Sequence, residues 1–366
     1  MTLNDGKPAG PLAGLRVIEF AGIGPGPHCA MLLSDLGAEV LRIEREGGGG
    51  YDNPVVDRGR ATIAADIRAD AGCGLARAAA EKADVLIEGF RPGVMERLGL
   101  GPESLLEANP RLIYGRITGW GQSGPLAKTA GHDITYLALT GALAAIGRPG
   151  EPAVPPLNLV GDFGGGSMLL AFGIMAALWE REASGRGQVI DAAIVDGVAS
   201  MMTTYAGFLP SGRLSLDRGR NLLGGAAPFY RCYLCADGRE IAVGAFEPQF
   251  YAELLDRIDA PESLRCDQYD VANWPERSAA MAALFATRPR DEWAALLEGT
   301  DACAAPVLAF DEVADHPHIA ARETYRRIDG ALHAAPAPRF SRTPGEAQEA
   351  RDATDMLARW GVAHAL

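Results

Sequence analysis

Residues 15–43, LRVIEFAGIGPGPHCAMLLSDLGAEVLRI, carry a complete strand–turn–helix–strand unit. Leu15–Phe20 is a short apolar run of strand length. Gly22-Ile23-Gly24-Pro25-Gly26-Pro27 then breaks the chain with turn residues. His28 to Leu36 has helical patterning, and Glu39–Ile43 is a second strand. Strand, glycine-rich turn, helix, strand is the βαβ rhythm of a parallel sheet. Further along the chain, Asp84–Ile87 and Leu112–Ile117 continue the strand series. Gly164–Glu182 and Val195–Gly207 read as long helices around a strand at Gln188–Ala193. The fold class is α/β, a doubly wound, Rossmann-like parallel sheet, and there is no internal repeat.

The texture changes after this. Residues 1–208 form the large α/β domain, and residues 209–225, rich in Gly, Ser and Arg, form a linker. Residues 226–310 form a smaller α+β domain. Its hairpin joins Tyr230–Cys235 to Glu240–Val243 through Ala236-Asp237-Gly238. Helices follow near Phe250–Ile258, Trp274–Thr287 and Asp291–Leu297. Residues 311–366, rich in Pro and Ala, form a C-terminal segment that returns to the large domain.

Composition narrows the function. The 366 residues carry 34 Lys and Arg against 47 Asp and Glu, a net charge of −13, which is the wrong sign for a nucleic-acid binder. A few local arginines can still build a cationic pocket for a small anion. Met1 to Gly10 lacks the order of a signal peptide. The apolar run Ser167–Trp179 is too short to cross a bilayer, so no membrane partner is expected. His364-Ala365-Leu366 is a poor peroxisomal address. Six scattered cysteines form no disulfide framework, which makes the cytoplasm the expected location. Cys232-x-x-Cys235 is half of a zinc pattern that nothing completes, and two buried thiols on a strand account for it. No metal site is expected.

The glycine turn tests a dinucleotide reading. Gly22 and Gly24 match the first two positions of G-x-G-x-x-G, but Pro27 occupies the third, which leaves a nicotinamide dehydrogenase as a weak alternative. Glu44 follows the second strand, where a carboxylate holds a ribose diol. Arg42 and Arg45 flank it and are either solvated charges or contacts to a phosphorylated ribose. Arg68 ends another segment. Arg91 follows a strand and precedes a helix start at Pro92, where backbone N–H groups favour phosphate. Arg45, Arg68 and Arg91 together suit a multiply phosphorylated nucleotide such as coenzyme A.

Three further features carry titratable groups. Gly131-His132-Asp133 opens an apolar helical pattern, Ile134 to Ile146, with Asp133 as an N-cap or first-turn acid. Asn158-Leu159-Val160-Gly161-Asp162 precedes Phe163-Gly164-Gly165-Gly166, with Asp162 in the N-cap position. Three successive glycines suit close backbone approach to a ligand or to a neighbouring helix. Glu247 precedes Pro248 at another helix entry.

Taken together, Gly22 through His28, Glu88-Gly89-Phe90-Arg91-Pro92-Gly93, Thr118-Gly119-Trp120-Gly121-Gln122, Gly131-His132-Asp133, Asn158 through Gly166 and Glu247-Pro248-Gln249-Phe250 carry a resemblance. The chain resembles the α-methylacyl-CoA racemases of the family III CoA-transferase superfamily, from about Pro11 to Arg342. The resemblance implies two chains interlocked like links, with active sites between the large domain of one and the small domain of the other. It implies His132 and Asp162 as the acid/base pair, with Glu247 hydrogen-bonding to the histidine. Asp133, Asn158 and Tyr230 match supporting positions. Ile23, Arg45, Ala65, Ile67, Arg68, Arg91 and Val94 match positions that hold coenzyme A. Arg68 stands where the pattern commonly has lysine, which keeps the charge and alters the phosphate geometry. Phe90 replaces a frequent tyrosine.

The implied chemistry explains the residue types. Racemisation beside a thioester removes a proton from one face and delivers another to the opposite face, which two flanking groups of suitable pKa can do. An aspartate serves as base only where its site is dry enough to raise its pKa. Backbone N–H groups at the start of the Asp162-Phe163-Gly164 helix are candidates to stabilise the enolate. This scheme requires no cofactor, because coenzyme A is part of the substrate. The competing chemistry is CoA transfer, with Asp162 as nucleophile. A non-catalytic CoA-binding module would need the arginines without the His/Asp pair. The place implied is fatty-acid and lipid metabolism, with the acyl group undetermined.

Overall fold

The computed structural model describes residues 10–48 and 53–362. Met1 through Ala9 and His364-Ala365-Leu366, on which the targeting expectations rest, lie outside the described residues. The chain divides into two compact units. The first holds the segments up to Thr140, Pro156–Met201, and His318 onward. The second holds Gly141–Pro155 and Met202–Pro317.

The first unit is built on six strands: β1 (Arg16–Phe20), β2 (Glu39–Glu44), β3 (Arg60–Ala64), β4 (Val85–Glu88), β5 (Ile113–Thr118) and β6 (Val189–Ala193). They lie in the order β3-β2-β1-β4-β5-β6, with every neighbouring pair parallel. Val17 of β1 pairs with Val40 on one side and Val85 on the other. Strands covered on both faces read as near-continuous apolar runs, and Val17-Ile18 and Val85-Leu86-Ile87 are fully buried. The order reverses between β1 and β4. Ligands of such sheets bind beyond the carboxyl ends of the strands at that reversal.

The sequence reading missed β3 and the helix Asp70–Ala80 that follows it. Arg-Ala-Thr-Ile-Ala in β3 is half exposed at the sheet edge and lacks the apolar density of the central strands. The helical pattern from Ile134 to Ile146 is divided in two. Asp133–Leu139 ends, Gly141 takes a left-handed conformation, and Ala142–Ala145 belongs to the second unit. The C-terminal helix Ala353–Trp360 buries Met356, Leu357 and Trp360 in the core of the first unit. The Trp360 indole N–H donates to Glu39 Oε2 at 2.7 Å.

The long helix also differs from its expected bounds. It starts as a π-helix, Leu159–Met168, and continues as an α-helix, Leu169–Ser184. The whole run is 26 residues and, by length and composition alone, apolar enough to cross a membrane. Leu170, Ile174 and Ala177 are buried, and Leu170 lies against Gly115 of β5, the position of a core helix. Its other face leaves Phe172 70% and Trp179 82% exposed.

The second unit contains an antiparallel sheet of β7 (Tyr230–Leu234), β8 (Glu240–Gly244) and β9 (Ala304–Pro306). The hairpin is the one read from the sequence, with Tyr230 opposite Gly244. Helices Pro248–Arg257, Trp274–Phe285 and Arg290–Leu297 cover it around Phe229, Tyr233, Phe285 and Trp293. The two thiols of this hairpin are not both buried. Tyr233 and Cys235 face the core, so Cys232 points to the opposite, exposed face.

Candidate active site

Two groups of residues gather beside the sheet reversal in the first unit. The first group lines a cavity of ≈ 530 Å³ that includes the ends of β1 and β2 and the turns after β3 and β4. Phe20, Glu44, Arg45, Ala65, Arg68 and Phe90 are among its walls, with Ile67 and Val94 completing the resemblance set there. Arg97 also lines it and was missed by the sequence reading. Its signal was its place one turn beyond Pro92-Gly93, on the short helix Val94–Arg97. Ile23 is exposed in the turn after β1, and Arg91 is exposed after β4; neither is among the cavity walls.

Charge in this cavity stays in water. Arg45 is exposed and, among the described residues, donates to the backbone oxygen of Gly48, at 2.8 Å. Arg68 is exposed and holds Asp66 by two bonds of 2.9 and 3.0 Å. An exposed pair of this kind contributes little, so Arg68 can turn to an incoming phosphate at small cost. Arg42 differs. It is buried, with Nη1 2.5 Å from Asp57 and Nε 3.4 Å from Glu44, so it is not a solvated charge.

The second group surrounds Asp162. Its carboxylate is half-buried and accepts a hydrogen bond from Asn158 Nδ2 at 3.3 Å. Gly24 of the turn after β1 lies directly beside it. A Cβ at Gly24 would come within 2.9 Å of Asp162 Oδ2, and Gly24 also has φ of 71°, which disfavours other residues. The turn that fails the dinucleotide pattern therefore packs against the carboxylate. Asp133 is buried, and its Oδ1 accepts the Asp162 backbone N–H at 2.7 Å. Gly161 permits this approach, because a Cβ there would stand 2.1 Å from Asp133 Oδ1.

This geometry corrects one expectation. Asp162 is not an N-cap. The π-helix starts at Leu159 with Asn158 as its cap, which puts Asp162 in the first turn. Its N–H is committed to Asp133, and that of Phe163 to the Asn158 carbonyl at 3.2 Å. These two donors are not free to bind an enolate. The glycines serve helix approach. A Cβ at Gly197 would stand 1.9 Å from the Gly165 carbonyl, so the π-helix and the helix Ile194–Met201 touch through their backbones. Glycine costs roughly 0.5–1 kcal/mol per helical position, which this contact offsets. Ten-residue π-helices are rare, and such segments recur at functional sites.

His132 caps the helix Asp133–Leu139, with its backbone N–H donating to Thr135 Oγ1 at 3.0 Å, and the residue is exposed. Burial raises the Asp162 carboxyl above its usual value, the Asp133 charge adds to this, and the Asn158 bond and His132 oppose it. Burial likewise raises Asp133, against the pull of two backbone N–H groups. Tyr136, also missed by the sequence reading, is buried near both carboxyls; burial and those charges push its phenol up. Its signal was its place one helical turn beyond His132. The supports Tyr230 and Glu247 belong to the second unit, Tyr230 opening β7 and Glu247 capping Pro248–Arg257.

Comparison with known proteins follows the same lines. The model of the CoA-transferase family III matches residues 12–352. The chain is 47% identical to α-methylacyl-CoA racemase of Mus musculus, over 93% of this chain and 89% of that one. It is 44% identical to α-methylacyl-CoA racemase of Homo sapiens, with 93% and 89% covered. A solved structure of a CAIB/BAIF family protein from Brucella suis superposes with a TM-score of 0.82 at 26% identity, covering 96% of this chain and all of that one. With the parallel six-stranded sheet and the match along nearly its whole length, the chain belongs to the CoA-transferase family III.

Proposed function

We propose that this protein is an α-methylacyl-CoA racemase. It interconverts (2R)- and (2S)-2-methylacyl-CoA thioesters by exchanging the α-proton through an enolate. The observation that carries this reading is the Asp162 carboxyl, half-buried and raised by burial, in one unit with the helix-capping His132. The identity to two racemases supports it. A carboxylate with an ordinary pKa is too weak a base to abstract an α-proton, and burial moves Asp162 toward the useful range. Asn158 holds one of its oxygens, and Gly24 packs against the same atom.

In this account coenzyme A is part of the substrate. Arg45 and Arg68, with Arg91 and Arg97 nearby, meet its phosphates, while Ile23, Ala65, Ile67 and Val94 flank its nucleotide. His132 and Asp162 stand on opposite faces of the α-carbon, and each is acid in one direction and base in the other. A second copy of the chain interlocks with the first and supplies Glu247 to orient His132, with Tyr230 beside it. The exposed apolar face carrying Phe172 and Trp179 fits burial against that copy. The scheme needs no metal or redox cofactor, and it operates in the cytoplasm, in fatty-acid and lipid metabolism.

The alternative within the family uses Asp162 as nucleophile: its carboxylate attacks the thioester carbonyl, the C–S bond breaks, and an acyl anhydride forms as coenzyme A leaves as the thiolate. Mass spectrometry of enzyme quenched during turnover separates the two. The racemase account predicts unmodified Asp162. A covalent acyl or CoA adduct at that residue would assign CoA transfer instead.

A further inference from the structure

The second unit holds a cationic cavity of ≈ 470 Å³ with no role in the reading above. Arg148, Arg218, Arg220 and Arg231 line it, with Trp274 and Ser278 in its wall. Among the described residues no carboxylate lines it, although acids outnumber bases 47 to 34 in the chain. Among the described residues none of the four arginines forms an ion pair. Arg218 donates only to neutral carbonyls, Ile146 at 3.3 Å and Glu151 at 3.5 Å. Arg231 lies over the Tyr233 ring at 5.5 Å, and its Nε is buried with no hydrogen-bond partner among the described residues.

Among the described residues, no nearby acid forms an ion pair with the cluster. Asp217 accepts the Gly219 N–H at 2.9 Å, and Asp270 accepts those of Ala272 and the Asn273 side chain. Both carboxylates are thus committed to local turns. Four like charges held around one cavity repel each other, and a bound anion relieves that repulsion. Guanidinium groups match the planar, multi-oxygen faces of phosphoryl and carboxylate groups. The volume exceeds that of one such group and falls in the usual range for small-molecule sites.

We propose that this cavity binds a small polyanion carrying two or more phosphoryl or carboxylate groups. The site stands independently of the racemase reading, because it shares no lining residue with the cavity of Arg45 and Arg68.

Isothermal titration of the full chain with pyrophosphate, and separately with citrate, tests the proposal. The site predicts saturable binding of at least one anion, weakened about tenfold or more by combined Arg148→Ala and Arg220→Ala. Both residues are exposed, and a single Arg220→Gln gives the same direction if the double variant folds poorly. Arg45→Ala with Arg68→Ala retains this binding. Tighter pyrophosphate assigns a phosphoryl ligand, and tighter citrate a carboxylate. No binding by the wild type, or unchanged binding by the Arg148/Arg220 variants, overturns the proposal.

Discussion

Arg68 and Asp162 carry opposite charges in opposite surroundings. Arg68 projects into solvent and is held, among the described residues, by an exposed partner, Asp66. Asp162 is half-buried, pressed by the Gly24 backbone and flanked by buried Asp133. A charge that captures a ligand gains from staying hydrated and mobile until the ligand arrives. A charge that moves a proton gains from losing water, because desolvation brings its pKa toward the working pH. The two regions divide binding from chemistry, and that division can be broken experimentally.

The largest effect is expected on the dry side. His132→Ala and Asp162→Ala each lower kcat for epimerisation about 1,000-fold, while the affinity for free coenzyme A stays near the wild-type value. Full activity in either variant would end the two-base account. Gly161→Ala comes next, because its methyl group would displace the Asp133 carboxylate that holds the Asp162 backbone. A loss of about 10- to 100-fold in kcat, with KM little changed, is expected from such misplacement. The arginine side answers in KM. Arg45→Ala with Arg68→Ala raises KM about tenfold, and the wild-type KM rises with salt more steeply than the variant's. Equal salt slopes would remove these arginines from the binding role.

The smallest effect concerns stability. Burial raises the Asp162 pKa above its usual 3.8, so its ionised form weakens the fold. The stability this group contributes is present below 3.8 and is lost as pH rises through its raised folded value. Asp162→Asn therefore melts higher than wild type at neutral pH, and the advantage shrinks as pH falls toward 4. A pH-independent difference in melting temperature would contradict the shift.

The same division governed what the sequence disclosed. Central strands such as Val85–Glu88 were legible because burial on both faces demands continuous apolar residues. Edge strand β3 was not, since Thr62 and Ala64 are exposed. Arg45 and Arg68 were legible as charges at strand ends. The contact of Gly24 with Asp162 joins residues far apart in the chain and leaves no local pattern. The role of Arg42 was equally hidden, because its partner Asp57 lies fifteen residues away. The three glycines had two readings, ligand approach or helix approach, and only the Gly165–Gly197 contact decided between them.

Incubation of one pure 2-methylacyl-CoA epimer with the enzyme in deuterated water separates proton exchange from CoA transfer. A two-base racemase loses stereopurity, with deuterium entering at the α-carbon at a matching rate. Retained configuration without α-exchange, together with transfer of CoA to an added carboxylic acid, would contradict the racemase account.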